Sequence, residues 1–171
     1  MGALNLNIPS DKQIWAWLDD VPDPEIPVIS VVDLGIIRRV AWEGDVLCVD
    51  ITPTYSGCPA AGAISLDIET ALMKKGLGNV KVRSVLSPAW TTDWMSEAGR
   101  QNLKAYGIVP PAKGDMCAGM ISLTGAKLAN IECPKCDSPN IERISQFGST
   151  PCKASYRCKS CLEPFDYFKA L

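Results

Sequence analysis

The sequence predicts an α+β fold, a two-layer domain with a small three-stranded sheet and helices, followed by a short metal-held module. Two observations define the first part: apolar residues recur at helical spacing in separated segments, and three short β-branched runs lie between them. A third defines the second part: the chain closes on two C-x-x-C pairs in a segment with little apolar core of its own.

Ser10 suits a helix N-cap, and Ile14, Trp15 and Leu18 then share one helical face up to Asp20. Pro22, Pro24 and Pro27 cannot sit inside a helix, so an ordered loop follows. Ile36 to Ala41 and Val46 to Thr52 read as strands, with Glu43-Gly44-Asp45 as the hairpin signal between them. In the second strand Leu47, Val49 and Ile51 alternate with Cys48 and Asp50, which makes one face apolar. Ala61, Ile64, Ile68, Ala71 and Leu72 recur at helical spacing and stop near Lys75-Gly76. Val80 to Leu86 reads as a third strand. Thr92 or Asp93 is placed to cap a helix running to about Tyr106. The small, Gly- and Pro-containing stretch 107–125 reads as a linker between a domain at 1–106 and a cysteine module at 126–171, and the first domain is expected to fold without the second.

Composition removes several function classes. There is no histidine, which excludes Ser-His-Asp and Cys-His catalysis and the usual mixed zinc hydrolase sites. Neither a dinucleotide-binding glycine string nor a P-loop is present, so the chain is poorly equipped to be a catalyst by itself. A net charge of -2 without a basic run argues against nucleic acid and anionic membrane as partners. No apolar run approaches the roughly 20 residues that cross a bilayer, and Met1 to Pro9 lacks the pattern of a secretion signal. A cytoplasmic location is expected, and there eight cysteines point to metal or thiol chemistry in preference to disulfides.

Cys133, Cys136, Cys158 and Cys161 form two knuckles with 21 residues between them. Two residues between cysteines let both sulfurs face one ion, and two knuckles complete a tetrahedron, so a structural zinc ribbon is expected, with iron as the alternative occupant of four thiolates. Arg143, Lys153, Arg157 and Lys159 are expected to offset the charge of the metal-thiolate group. Cys152, inside the ribbon loop, reads as a small buried thiol or turn residue, with a fifth exchangeable ligand as the other option. Cys117 has no assignable role.

Cys58 follows Gly57 and precedes Pro59 at the junction between the second strand and a helix. A helix start stabilises a thiolate, which makes Cys58 the candidate for transient cluster or metal ligation; an inert packed cysteine is the equal alternative. Asp23 and Glu25 are nearby acids if their loop approaches Cys58, although turn and capping roles fit their proline-rich setting better. Trp90 and Trp94 read as core or interface anchors.

Three strings together resemble a known family. Asp23-Pro24-Glu25-Ile26-Pro27, Asp33-Leu34-Gly35 and Thr54-Tyr55-Ser56-Gly57-Cys58-Pro59 are similar to the small iron–sulfur maturation domain shared by cytosolic assembly factors and bacterial Suf-type helpers. Pro88-Ala89-Trp90-Thr91-Thr92-Asp93-Trp94, Phe147-Gly148-Ser149-Thr150 and the ending Glu163-Pro164-Phe165-Asp166-Tyr167-Phe168-Lys169 narrow the resemblance to the PaaD family, accessory proteins of the phenylacetyl-CoA epoxidase system in aerobic phenylacetate degradation. The resemblance implies a non-catalytic maturation factor that assists iron–sulfur cluster or metal assembly, with the epoxidase oxygenase and reductase subunits as partners. It makes Cys58 the motif cysteine and Asp23 and Glu25 the acidic loop, with an iron–sulfur cluster or iron as transient cargo, and leaves room for a homodimer sharing Cys58. A docking component of the oxygenase complex is the alternative, and a nucleic-acid-binding regulator the weaker one.

Overall fold

The computed structural model describes residues 8–112 and 131–169. Cys117 and most of the stretch read as a linker lie outside the described residues.

Helix α1 (Asp11–Asp19) starts on Ser10, whose Oγ accepts from the Gln13 backbone while the Gln13 side chain accepts from the Ser10 backbone, a reciprocal capping box. Strands β1 (Ile37–Glu43) and β2 (Val46–Ile51) form an antiparallel hairpin. Helix α2 (Ala61–Lys74) then crosses to β3 (Val80–Ser84), which pairs parallel with β2, so the sheet order is β1-β2-β3. Leu47, Val49 and Ile51 of β2 join Ile14 and Leu18 of α1 and Ile64, Ile68 and Leu72 of α2 in one buried core. The other face is closed by charge: Arg83 donates to Asp50 at 2.7 Å and to Glu43 at 3.0 Å, and Arg39 reaches the same two acids at 3.5 and 3.0 Å.

The region after β3 departs from the helix expected from Thr92 onwards. Thr92–Trp94 is a single 3₁₀ turn, and Ser96 is the N-cap of α3 (Glu97–Ala105), accepting from Gly99 N–H at 2.9 Å. Gly35, in the Asp33-Leu34-Gly35 string, has φ +75, and a Cβ there would lie 2.3 Å from the Trp94 carbonyl oxygen. No other residue fits that approach.

Ile108–Val109, inside the stretch read as linker, is strand β4 and pairs parallel with β7 (Pro164–Phe168). With β5 (Ile141–Ser145) and β6 (Lys153–Cys158) this gives a second sheet of order β4-β7-β6-β5, its last three strands antiparallel. The ribbon has its own cluster around Ile131, Tyr156, Phe165 and Tyr167. Phe168 and Cys152 belong instead to the core of the first domain, and the Phe168 ring meets the Trp90 ring edge-on with centroids 6.0 Å apart. Trp90 is fixed in turn by its Nε1–H, which donates to the Leu34 carbonyl at 3.0 Å. The two units therefore share a core.

Phe168→Ala should cost about 3–5 kcal/mol, the usual penalty for emptying a buried phenylalanine site. Denaturant melts followed by tryptophan fluorescence should show both units losing stability together; a change confined to the ribbon would contradict the shared core.

Candidate functional site

The chemistry-bearing residues form two separate groups. In the ribbon, Cys133 and Cys161 sulfurs lie 3.6 Å apart, as do those of Cys136 and Cys158, and all four lie within 4.8 Å of one another. Four thiolates on metal–sulfur bonds of about 2.3 Å place neighbouring sulfurs roughly 3.8 Å apart. The donor set therefore fits one tetrahedral ion of zinc's size. Each knuckle ends on a left-handed residue directly after its second cysteine, Asp137 at φ 54 and Leu162 at φ 64. Ser160 and Cys161 N–H groups donate to Cys158 Sγ at 3.3 and 3.5 Å. The Cys161 amide, and after it that of Ser160, help hold the Cys158 thiol down at about 6.

The basic residues around this group also have carboxylate partners. Arg157 and Lys159 both pair with Glu142, the latter at 3.7 Å, and Lys135 pairs with Glu163 at 2.6 Å. Glu142 and Glu163 lie at the two ends of the segment that carries Arg143, Lys153, Arg157 and Lys159. Lys153 is buried, and its charge acts on Asp23 and Glu25 at the second group.

That second group lies where the first domain meets the ribbon. The loop after α1 doubles back on itself through the bridge between Pro22 and Ser30. Asp23 Oδ1 accepts from the Glu25 and Ile26 amides, both at 2.9 Å, which drives Ile26 into the core and turns Glu25 the other way. The turn role expected for Asp23 is therefore present. The loop after β2 brings in Cys58, whose N–H donates to the Tyr55 carbonyl at 3.2 Å and whose carbonyl accepts from Ala61 N–H at 3.3 Å. Asp23, Glu25, Thr54, Cys58, Cys152 and Phe168 line one cavity of about 20 Å³, room for roughly one water molecule. Cys152 Sγ donates to Glu25 Oε2 at 4.0 Å and lies 3.0 Å from Thr150 Oγ1.

The electrostatics of Cys58 reverse the expectation of a stabilised thiolate. Burial pushes its thiol up, and the charges of Glu25 and Asp23 push the same way; the Ala60 and Ala61 amides at the helix start pull down but do not prevail. Gly57 is not required by crowding, because a Cβ there would meet only the Tyr55 ring at 3.8 Å. Burial also raises Cys152, Asp23 and Glu25. Burial, then Cys58, Cys152 and Glu25 in turn, push Tyr55 up to about 12. Burial first, and then the mutual repulsion of their charged forms, disfavours ionisation across the group. Sequence reasoning missed Cys152 here, since it reaches the site only through tertiary packing, and passed over Tyr55, which shares the Cys58 loop.

An α+β domain with an acid-flanked cysteine is thus joined to a ribbon whose four cysteines could hold a metal ion, the arrangement of a metal-binding protein. Residues 11–85 match the family described as iron-sulfur cluster assembly protein, and residues 121–169 match that described as PaaD zinc beta ribbon domain. A protein of Escherichia coli (strain K12), described as the D-type component of a "Putative 1,2-phenylacetyl-CoA epoxidase", is 47% identical over 163 residues, covering 95% of this chain and 94% of that one. The chain belongs to that PaaD family of epoxidase components. An iron-sulfur cluster carrier protein of Deinococcus radiodurans is 38% identical over 66 residues, 38% of this chain and 19% of the carrier. The solved structure of a domain of unknown function, DUF59, from Bacillus anthracis aligns with a TM-score of 0.50 at 30% identity, covering 54% of this chain and 89% of that domain. Among the described residues no helix is long and apolar enough to cross a membrane.

Two outcomes follow from this geometry. Cys136→Ser should release the ribbon metal, measured by elemental analysis, and lower the melting temperature of the whole chain; retained metal would contradict the four-thiolate site. For Glu25 the raised carboxyl means the folded state binds the proton more tightly than the unfolded state. Its contribution is therefore most favourable below the ordinary value of 4.5 and is lost as pH rises towards the folded value. Glu25→Gln should raise stability at neutral pH, and the difference should close as pH falls below 4.5. Denaturant titrations across that range test it.

Proposed function

We propose that this chain is a non-catalytic maturation factor of the phenylacetyl-CoA epoxidase system. On this reading it assists assembly of an iron–sulfur cluster or iron in the oxygenase or reductase subunits, and works in the cytoplasm. The observation that carries the proposal is the meeting of Cys58 with Asp23 and Glu25 at one cavity, in a domain that matches the iron–sulfur assembly family. The Escherichia coli and Deinococcus relatives support the pathway and the cargo class respectively.

The division of labour follows from ligand number. Four converging thiolates hold an ion tightly and make a poor donor, so the ribbon site is structural and zinc is its natural occupant. Cys58 is partly buried, and that burial pushes its thiol up. A metal bound there must compete with that proton, so it is held weakly and can be passed on. A client thiol, or Cys58 of a second copy, would complete the ligand set of a labile cluster. The net charge of -2 weighs against a nucleic-acid regulator.

Cys58→Ser should leave the fold and ribbon metal intact, yet lower the metal or cluster content of the epoxidase subunits recovered from cells growing on phenylacetate. Full content in every one of them would reduce Cys58 to a packing residue. A stable, stoichiometric complex of this chain with the active oxygenase would favour the docking alternative.

A further inference from the structure

Cys152 and Glu25 are 127 residues apart in the chain, yet their side chains meet where β6 begins. Cys152 is 5% exposed and is held on the cavity by the same packing that buries Phe168. Cys58 approaches the cavity from the β2–α2 loop and is only partly buried. The ribbon thus delivers a second thiol to the motif cysteine, and Glu25 stands beside both.

We propose that Cys58, Cys152 and Glu25, with Asp23 behind them, form a binding site for a single thiophilic divalent cation such as iron(II) or zinc, a site complete only when the ribbon is docked. The proposal rests on the maturation reading for the purpose of the ion, and on the geometry alone for its chemistry.

The donor set selects the ion class. Two sulfurs and a carboxylate suit borderline cations, whereas magnesium and calcium take oxygen ligands. The size of the cavity selects a mononuclear guest. About 20 Å³ admits one ion or water, and a sulfide-bridged cluster would require Phe168 or the ribbon to move. Charge points the same way. The remaining walls include Ile26, Leu34 and Ile64, so four acidic groups converge in an apolar setting that offers them little solvation. A divalent cation compensates them, and Lys153, already acting on Asp23, Glu25 and Cys152, offsets the excess negative charge of the loaded site. The exposed side of Cys58 gives the ion its way in. On binding, the two S–H bonds break and two sulfur–metal bonds form; both protons leave to solvent, and the oxidation state of the ion is unchanged.

The test uses the full chain with its ribbon metal in place, titrated with cobalt(II) alone without oxygen. The wild type should take up one further cobalt per chain, with a thiolate-to-cobalt charge-transfer band and release of about two protons. Cys152→Ser and Cys58→Ser should each keep the ribbon metal, lose about half of that band, and weaken cobalt binding at least about tenfold. Cys48→Ser, on the opposite face of β2, should change nothing. If Cys152→Ser fails to fold, X-ray absorption at the cobalt edge of the wild type counts the sulfurs directly, and two are expected. Wild-type affinity and band intensity in Cys152→Ser would overturn the proposal, as would a single sulfur per added cobalt or no added cobalt at all. Those results leave the maturation reading standing on Cys58. Loss of cobalt in both variants, with normal epoxidase maturation in cells, would uphold the site and sink the maturation reading.

Discussion

Phe168 is 1% exposed, edge-on to Trp90, at the end of the strand that also pairs with β4. On this contact depends the placement of everything else that bears on function. A ribbon of some forty residues cannot build a sufficient core by itself, and its metal holds only the knuckle end. The opposite end of its sheet is organised by the first domain, which accepts Phe168 and Cys152 into a core already built from α1, α2 and β2. Trp90 transmits the fit, since its indole nitrogen ties it to Leu34 in the loop that leads into β1. The cavity bearing Cys58 is bounded by this joint and exists only while the joint is closed.

The two thiol groups differ in what competes for their sulfurs. In the ribbon, the Ser160 and Cys161 amides donate to Cys158 Sγ, and the four sulfurs converge at the separation one tetrahedral ion requires. At the joint, burial and mutual repulsion favour the protonated form of every member. A proton therefore opposes any cation there, and the hold on a guest weakens as acidity rises. The proposed division between a tight and a labile site rests on this contrast, with four converging sulfurs in the ribbon and desolvation at the joint.

Elements set by local chemistry were legible in the sequence. Ser10 with Gln13 wrote the start of α1, the alternation of Leu47, Val49 and Ile51 wrote the buried face of β2, and the paired knuckles wrote the four-thiolate site. The prolines around Asp23 and Glu25 wrote a turn, and their approach to Cys58 stayed an open alternative until the fold brought the two loops to one cavity. The rest depended on distance in the chain. Nothing near Cys152 announces that it faces Glu25, because the ribbon sheet must first form and then dock. The 3₁₀ turn at Thr92–Trp94 was hidden because Thr92 and Asp93 are acceptable caps in isolation, while Ser96 is the one that accepts from the helix. The sign of the Cys58 shift failed for a related reason: helix-start amides are local and visible, whereas burial against the ribbon is not.

The most direct measurement of the central claim is a nuclear Overhauser spectrum of the zinc-loaded full chain, with assigned aromatic and cysteine protons. Docking of the ribbon predicts cross-peaks between the Trp90 and Phe168 rings, whose centroids lie 6.0 Å apart, and between the Cys152 β-protons and the Glu25 side chain. Absence of both, with a ribbon tumbling faster than the first domain, would contradict the shared core and the composite site built upon it.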